Sequence, residues 1–373
     1  MKNSFGSALT VTIFGESHGA AIGAVIDGIA PGIAIDDDYI RIRMAQRRPA
    51  GKISTKRREA DEVDIISGVF NGRTTGTPLT IVIKNKDTKS SDYEAMRSVA
   101  RPSHADYTAY CKYRGFEDYR GGGHFSGRVT AALVAAGAIV MKALEGRGIY
   151  IGTHIKRCAL VNDRDFGDCR EDIRILSSLD FPVLDQNVAP VMKEAIEKAA
   201  AEGDSVGGVL ETAVIGLEAG LGEPWFDSVE SLLSHALFSV PAVKGVEFGA
   251  GFDLADMRGS DANDPMTVED GRIMTVSNNN GGINGGITNG MPVIFRTAVK
   301  PTPSIYKEQK TADFVNNRNT TLLIRGRHDP AIVHRARAVV DAVTALTLAD
   351  LLAARHGTDW LRGGDSEDGS EKS

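Results

Sequence analysis

The chain has 373 residues, 42% of them hydrophobic and 25% charged, with a formal net charge of −6. That length and balance suit a globular protein with a sizeable core, and the acidic total speaks against a general nucleic-acid binder. Cys111, Cys158 and Cys169 form no C-x-x-C pair, so a disulfide framework and a metal site are not expected, and a reducing cytoplasmic compartment is.

In chain order, Ala8 to Phe14 and Ile22 to Gly28 read as strands, β-branched and partly alternating, the second ended by Pro31-Gly32. Asp37 to Gln46 predicts a helix with acids at its start and arginines towards its end. Asp64 to Val69 and Leu79 to Lys84 are further strands. Val129 to Leu144 predicts an alanine-rich helix with almost no polar face, hence a buried one. Its near-apolar stretch, Val129 to Met141, is shorter than the roughly 20 residues a bilayer span needs, and the N-terminus lacks a signal-peptide core. No membrane association is expected.

Tyr150 to Leu160 and Gly208 to Leu217 return to strand character, as does Val293 to Val299. Ala189 to Ala201, Ser228 to Phe238 (capped by Asp227 or Ser228) and Ala331 to Ala354 predict helices. The mixed order favours an α+β class and one domain rather than a steady β-α-β alternation. Lys84 to Arg101 and Lys300 to Asn319 read as long loops, and Gly363 to Ser373 as a disordered polar tail.

Several loops carry reactive side chains. Gly15-Glu16-Ser17-His18-Gly19 fits the G-x-S-x-G pattern of a nucleophile elbow, which raises the choice between Ser17 and His18. The run from Arg41 to Arg58 holds eight basic residues and no acid; Arg47-Arg48-Pro49 and Gly51-Lys52 lie in its turn-prone part. Arginine there can grip a carboxylate or phosphate with paired hydrogen bonds, which points to a small anionic substrate. A solvated basic face is the plainer alternative.

Tyr119-Arg120-Gly121-Gly122-Gly123-His124-Phe125-Ser126-Gly127-Arg128 runs into the alanine-rich helix and suits phosphate binding, or simply a turn. It is neither a P-loop nor a dinucleotide fingerprint. Arg101-Pro102-Ser103-His104-Ala105-Asp106 places a second histidine on a loop, suited to proton transfer near neutral pH. Arg325-Gly326-Arg327-His328-Asp329-Pro330 is a charged knot before the last helix, where Asp329 could serve as a cap.

In their order, G-E-S-H-G, R-R-P, R-P-S-H-A-D-Y, Y-R-G-G-G-H-F-S-G-R, G-D-S-V-G-G, G-L-G-E-P-W-F-D, P-A-V-K-G-V-E-F-G, N-G-G-I-N-G-G-I, K-P-T-P-S-I and G-R-H-D-P resemble the chorismate synthase family, from about Gly6 to about Leu352. The resemblance implies a β-α-β sandwich, two antiparallel sheets enclosing helices, over residues 1–362 and usually assembled as a homotetramer. It also implies conversion of 5-enolpyruvylshikimate 3-phosphate, a phosphorylated dicarboxylate, to chorismate by 1,4-anti elimination of phosphate, with reduced FMN required. NADPH is implied only as a source of reducing equivalents, and an external flavin reductase is the favoured partner.

By the same resemblance His18 donates a proton to the departing phosphate, and His104 protonates or stabilises the reduced flavin. Asp329 steers proton removal, with Ser17 and Ser126 in support. Arg47, Arg48, Lys52 and Arg128 face the substrate. His124, Phe125, Ser126, Ala242, Gly285, Lys300, Pro301, Thr302, Pro303, Ser304 and Arg327 contact FMN. Two departures stand out: His124-Phe125 replaces an Arg-Ser pair of many members, and Pro241 replaces an Asn of some.

A serine hydrolase built on Ser17 is disfavoured because the segment after Gly19 reads as a strand and residue 17 leaves no room for a preceding oxyanion loop. A nucleic-acid or anion-binding module built on Arg41 to Arg58 leaves the other loops unexplained.

Overall fold

The computed structural model describes residues 2–49, 53–54, 61–86, 97–324 and 328–362. Lys52, Arg327 and the tail from Gly363 lie outside them, as do 87–96 of the first expected long loop.

Two five-stranded antiparallel sheets dominate. The first runs Ser4–Phe5, Thr10–Gly15, Ala21–Asp27, Leu79–Lys84, Asp64–Ser67; the second runs Val243–Phe248, Val293–Val299, Gly208–Ile215, Tyr150–Cys158, Val161–Asn162. Leu79–Lys84 shows why such strands form. Its side chains alternate, with Leu79, Ile81 and Ile83 fully buried and the intervening residues less so, the period that a half-buried sheet surface imposes.

The principal helices come between these strands in the chain, except the last, which follows all of them. Asp37–Arg47 begins at Asp36, whose carboxylate accepts the Tyr39 N–H at 2.9 Å. Thr130–Gly146 packs against Ala21–Asp27 and Leu79–Lys84 of the first sheet, and Val333–His356 against Tyr150–Cys158 and Gly208–Ile215 of the second. The two helices also pack on each other. They approach closely where Gly137 meets Ala342: a Cβ at Gly137 would lie 2.4 Å from the Ala342 Cβ. An added methyl there would force the helices apart, at roughly 1–3 kcal/mol.

By length and composition, 127–146 can cross a membrane, because the helical run extends past the apolar stretch read from the sequence. Here 83% of that window is buried inside the fold, as for a core helix.

Buried charge ties the layers together. Arg43 Nη2 bonds Asp341 Oδ2 at 2.5 Å, and Thr153 Oγ1 bonds Asp341 Oδ1 at 2.5 Å. Asp350, near the end of Val333–His356, accepts the backbone N–H groups of Ser7 (2.9 Å), Ala8 (2.7 Å) and Leu9 (2.9 Å) on one oxygen.

One expectation is corrected. Lys300 to Asn319 is not simply a loop, since Gln309–Asp313 pairs with Arg318–Leu322 as a hairpin. Its residues (QKTAD, RNTTL) are too polar to advertise a strand. The hairpin is anchored by the segment before His104: the Ala100 N–H donates to Ala312 O at 3.1 Å, and the Phe314 N–H to Ser98 O at 2.9 Å.

Candidate active site

Thr10–Gly15 delivers Glu16-Ser17-His18 into a tight turn, closed by Gly19 N–H to Glu16 O at 3.1 Å, and the chain returns as the strand Ala21–Asp27. This is a strand-to-strand turn, so the elbow geometry is absent. Ser17 is fully buried. Its N–H donates to Gly123 O at 3.1 Å, and its hydroxyl lies 3.1 Å from Gly121 O and 3.3 Å from Arg120 O. With that hydrogen turned to the carbonyls, Ser17 Oγ can accept from His18 Nδ1, 3.0 Å away. Ser17 therefore orients His18.

The glycine run explains the rest of the pocket. Gly121, Gly122 and Gly123 all take positive φ (59°, 83°, 52°), the region that other residues rarely enter. A Cβ at Gly121 would lie 2.1 Å from His18 Cε1, and one at Gly122 would lie 3.1 Å from His104 Cε1. The two histidines, far apart in sequence, thus press on consecutive residues of one bare backbone. Between this run and Thr130–Gly146 stands a short turn in which Ser126 Oγ accepts the Arg128 N–H at 3.3 Å. Ser126 thus caps that turn and not the long helix.

His104 sits on a turn in which Ser103 has φ 59° and the His104 N–H donates to Arg101 O at 3.1 Å. Its Nδ1 is 2.9 Å from Asp106 Oδ1. With Arg101, Asp118, Tyr119, Gly122 and Phe125 it lines a pocket of about 40 Å³. Lys300 joins here: its Nζ donates to Ser103 O at 2.5 Å, and its backbone N–H to Ala242 O at 3.0 Å. Ala242 holds φ 75°, unusual for a non-glycine residue.

A cationic cluster adjoins the turn at His18. Asp61, nearly fully buried, receives Arg47 Nη2 at 3.1 Å and Arg128 Nη1, with Arg48 Nε 4.0 Å away. Burial would raise the Asp61 pKa, but the charges of Arg47 and Arg128 outweigh it and hold the carboxyl below its usual range. Burial pushes Arg47 down to about 10 despite Asp61, helped by the neighbouring Arg335 and Arg128. Arg128 Nε also donates to Asn85 Oδ1 at 3.0 Å, and Asn85 Nδ2 donates to Glu16 O and Gly19 O, both at 2.9 Å. Arginine cluster and histidine turn are one hydrogen-bonded unit.

Asp329 belongs to the same unit by way of Arg335, which bonds Asp329 Oδ2 at 2.5 Å and Arg47 O at 2.8 Å. It does not cap Val333–His356, whose N-cap Ile332 has no side-chain bond. His328 beside it is pushed to lower pKa by burial and then by the charge of Arg101, and its Nε2 is buried without a hydrogen-bond partner among the described residues.

His124 Nδ1 lies 2.8 Å from Gly15 O, while half-exposed Phe125 sets its ring edge-on to Tyr113. In the Pro301–Ser304 loop, Ser205 Oγ donates to Thr302 O at 2.7 Å and Gln309 Nε2 to Pro303 O at 3.3 Å. Gly285 lies in a two-residue hairpin turn anchored by Val229 N–H to Gly286 O at 3.0 Å. Sequence reasoning gave no role to Asp61, Asn85, Arg101 or Asp106. Arg101 and Asp106 were visible in the motif around His104, whereas nothing in sequence joins Asp61 to Arg128.

The chorismate synthase family model matches residues 9–353. Chorismate synthase of Thermococcus gammatolerans is 48% identical over 350 residues, covering 94% of this chain and 97% of that protein. That of Dehalococcoides mccartyi is 49% identical over 354 residues, covering 94% and 96%. A crystal structure of chorismate synthase superposes with a TM-score of 0.75 at 28% identity, covering 95% of this chain and 94% of that one. The chain belongs to the chorismate synthase family, lyases that eliminate phosphate.

Proposed function

We propose that this protein converts 5-enolpyruvylshikimate 3-phosphate to chorismate by 1,4-anti elimination, with reduced FMN bound beside the substrate. The observation that carries the reading is the placement of His18 and His104 on Gly121 and Gly122, with the Arg47–Asp61–Arg128 cluster hydrogen-bonded to the same turn. Reduced FMN, when bound, supplies electron density to the bond that breaks.

The residues present fit such a group. Gly121 and Gly122 carry no side chain between the two histidines, and Thr302 Oγ1 is a buried hydroxyl with no hydrogen-bond partner among the described residues. Lys300, Pro301, Pro303, Ser304, Ala242 and Ser126 complete this side in our reading, together with His124 and Phe125. Gly285 and Arg327 remain proposed contacts on the family pattern alone.

Arg47, Arg48 and Arg128, with Lys52, hold the substrate phosphate and carboxylates. Their fixed charges stabilise the phosphate as its C–O bond breaks, and no solvent has to reorganise. His18, oriented by Ser17, gives its proton to the leaving phosphate, and His104 holds a proton at the flavin side. Asp329, held by Arg335, assists removal of the ring proton. In this reading residues 1–362 form one catalytic β-α-β sandwich that assembles as a cytoplasmic homotetramer, and an external reductase or NADPH maintains the reduced flavin.

Anaerobic incubation with dithionite, FMN and 5-enolpyruvylshikimate 3-phosphate tests the proposal. Phosphate release with chorismate formation is expected, and folded protein that yields neither product overturns it. Replacing dithionite by NADPH decides whether the protein reduces its own flavin.

A further inference from the structure

One edge of the His104 ring meets a carboxylate and the other meets Gly122 and the pocket. Asp106 is gripped by Arg101 at three points: Nε to Oδ2 at 2.8 Å, Nη2 to Oδ1 at 2.7 Å, and the backbone N–H to Oδ2 at 2.9 Å. The same Oδ1 lies 2.9 Å from His104 Nδ1. Burial would raise the Asp106 pKa, yet the bonds from Arg101 and then His104 hold it far below the carboxylate range. An ionised carboxylate only accepts, so the nitrogen facing it carries the proton.

Arg101 Nη2 also lies 3.0 Å from Nδ1, and a bare Nδ1 could accept from it. Seen from Nη2, Oδ1 and Nδ1 are only about 60° apart, whereas its two hydrogens are about 120° apart, so the hydrogen aimed at Oδ1 over the shorter 2.7 Å leaves neither in line with Nδ1. The carboxylate therefore decides the tautomer. On the far edge, Nε2 would lie 3.4 Å from a Cβ at Gly122, so the missing side chain is what keeps this nitrogen accessible. Lys300, bonded to Ser103 O, and His328, which senses the charge of Arg101, also stand at this loop, and Arg97, Glu117 and Asp118 line the same pocket.

We propose that Asp106 is the positioning residue that fixes His104 as its Nδ1–H form, with Arg101 holding Asp106, so that proton exchange at His104 runs through Nε2 alone. This rests on the reading of His104 as a proton-transfer group. The proton leaves Nε2 of the imidazolium for an acceptor in the pocket, the Nδ1–H bond stays, and Asp106 remains ionised throughout.

Protein labelled with ¹⁵N-histidine and observed above the titration of the ring tests the assignment, with His104→Gln identifying the signal. The wild type is expected to show a protonated Nδ1 and a bare Nε2. In Asp106→Asn, two N–H donors of Arg101 retain the amide oxygen at the Oδ2 position, leaving the NH₂ to donate to Nδ1. The tautomer should therefore reverse, with kcat down on the order of 10²–10⁴-fold and KM little changed.

A neutral wild-type ring protonated at Nε2 overturns the proposal whatever the activity, and so does Asp106→Asn with tautomer and kcat both retained. The wild-type spectrum decides if the variant fails to fold. A protonated Nδ1 without phosphate release in the wild type supports the tautomer assignment and overturns only the functional reading.

Discussion

His104 and His154 each set Nδ1 2.9 Å from an aspartate oxygen, Asp106 in one case and Asp163 in the other. They part company at Nε2. That of His154 lies 3.0 Å from Glu211 Oε2, directly across the Tyr150–Cys158 and Gly208–Ile215 strands, and the ring is fully buried with Phe166 edge-on. That of His104 lies along a side-chain-free glycine on the wall of a pocket. An imidazole bonded at both nitrogens serves as a strut, whereas one bonded at a single nitrogen keeps the other for chemistry.

The sharpest way to break this contrast is to delete the rings. His18→Ala and His104→Ala should each lower kcat by about 10²–10⁴-fold, with the denaturant midpoint nearly unchanged. If both retain near-full rates, their proposed roles fail.

His154→Ala should do the opposite. It takes the side-chain partner from buried Glu211 and one bond from Asp163, which keeps the N–H groups of Leu184 and Asp185, and should cost roughly 3–5 kcal/mol of unfolding free energy. Turnover per folded molecule should stay near normal, as urea titration alongside the assay would reveal.

The mildest probe is pH. Burial opposes charge on His154, but its bonds to Asp163 and Glu211 outweigh that and hold the pKa above 6.5. A raised folded pKa contributes stability that is full below pH 6.5 and is lost as pH rises through the folded value. Urea midpoints should therefore fall on the alkaline side in the wild type and less so in His154→Gln. Parallel curves would mean that the strut is neutral.

How far the sequence was legible follows from which signals are local. Leu79–Lys84 and Val293–Val299 match the expected spans because their alternating burial is written in apolar residues. Asp106–Tyr113 escaped notice: it has no side-chain cap and buries only Ala109, so no apolar stripe marks it. Val243–Phe248 is interrupted by Lys244, Gly245 and Glu247, and its pairing contains an irregular register.

At the site, His18 and His104 were legible because each stands on a loop among glycine or proline. Asp61 was not, since its meaning comes from Arg128, 67 positions away. Ser17 was legible as a pattern, but only the fold shows that its hydroxyl is held by the carbonyls of the glycine run.

The grip of Asp350 on the first strands has a consequence for synthesis. Ser7, Ala8 and Leu9 present three amides to a carboxylate that lies 341 to 343 positions later. At about 5–20 residues per second, the ribosome needs on the order of tens of seconds to bring Asp350 out after Leu9. Until then those amides lack their native acceptor, so the beginning of this chain is completed only by its end.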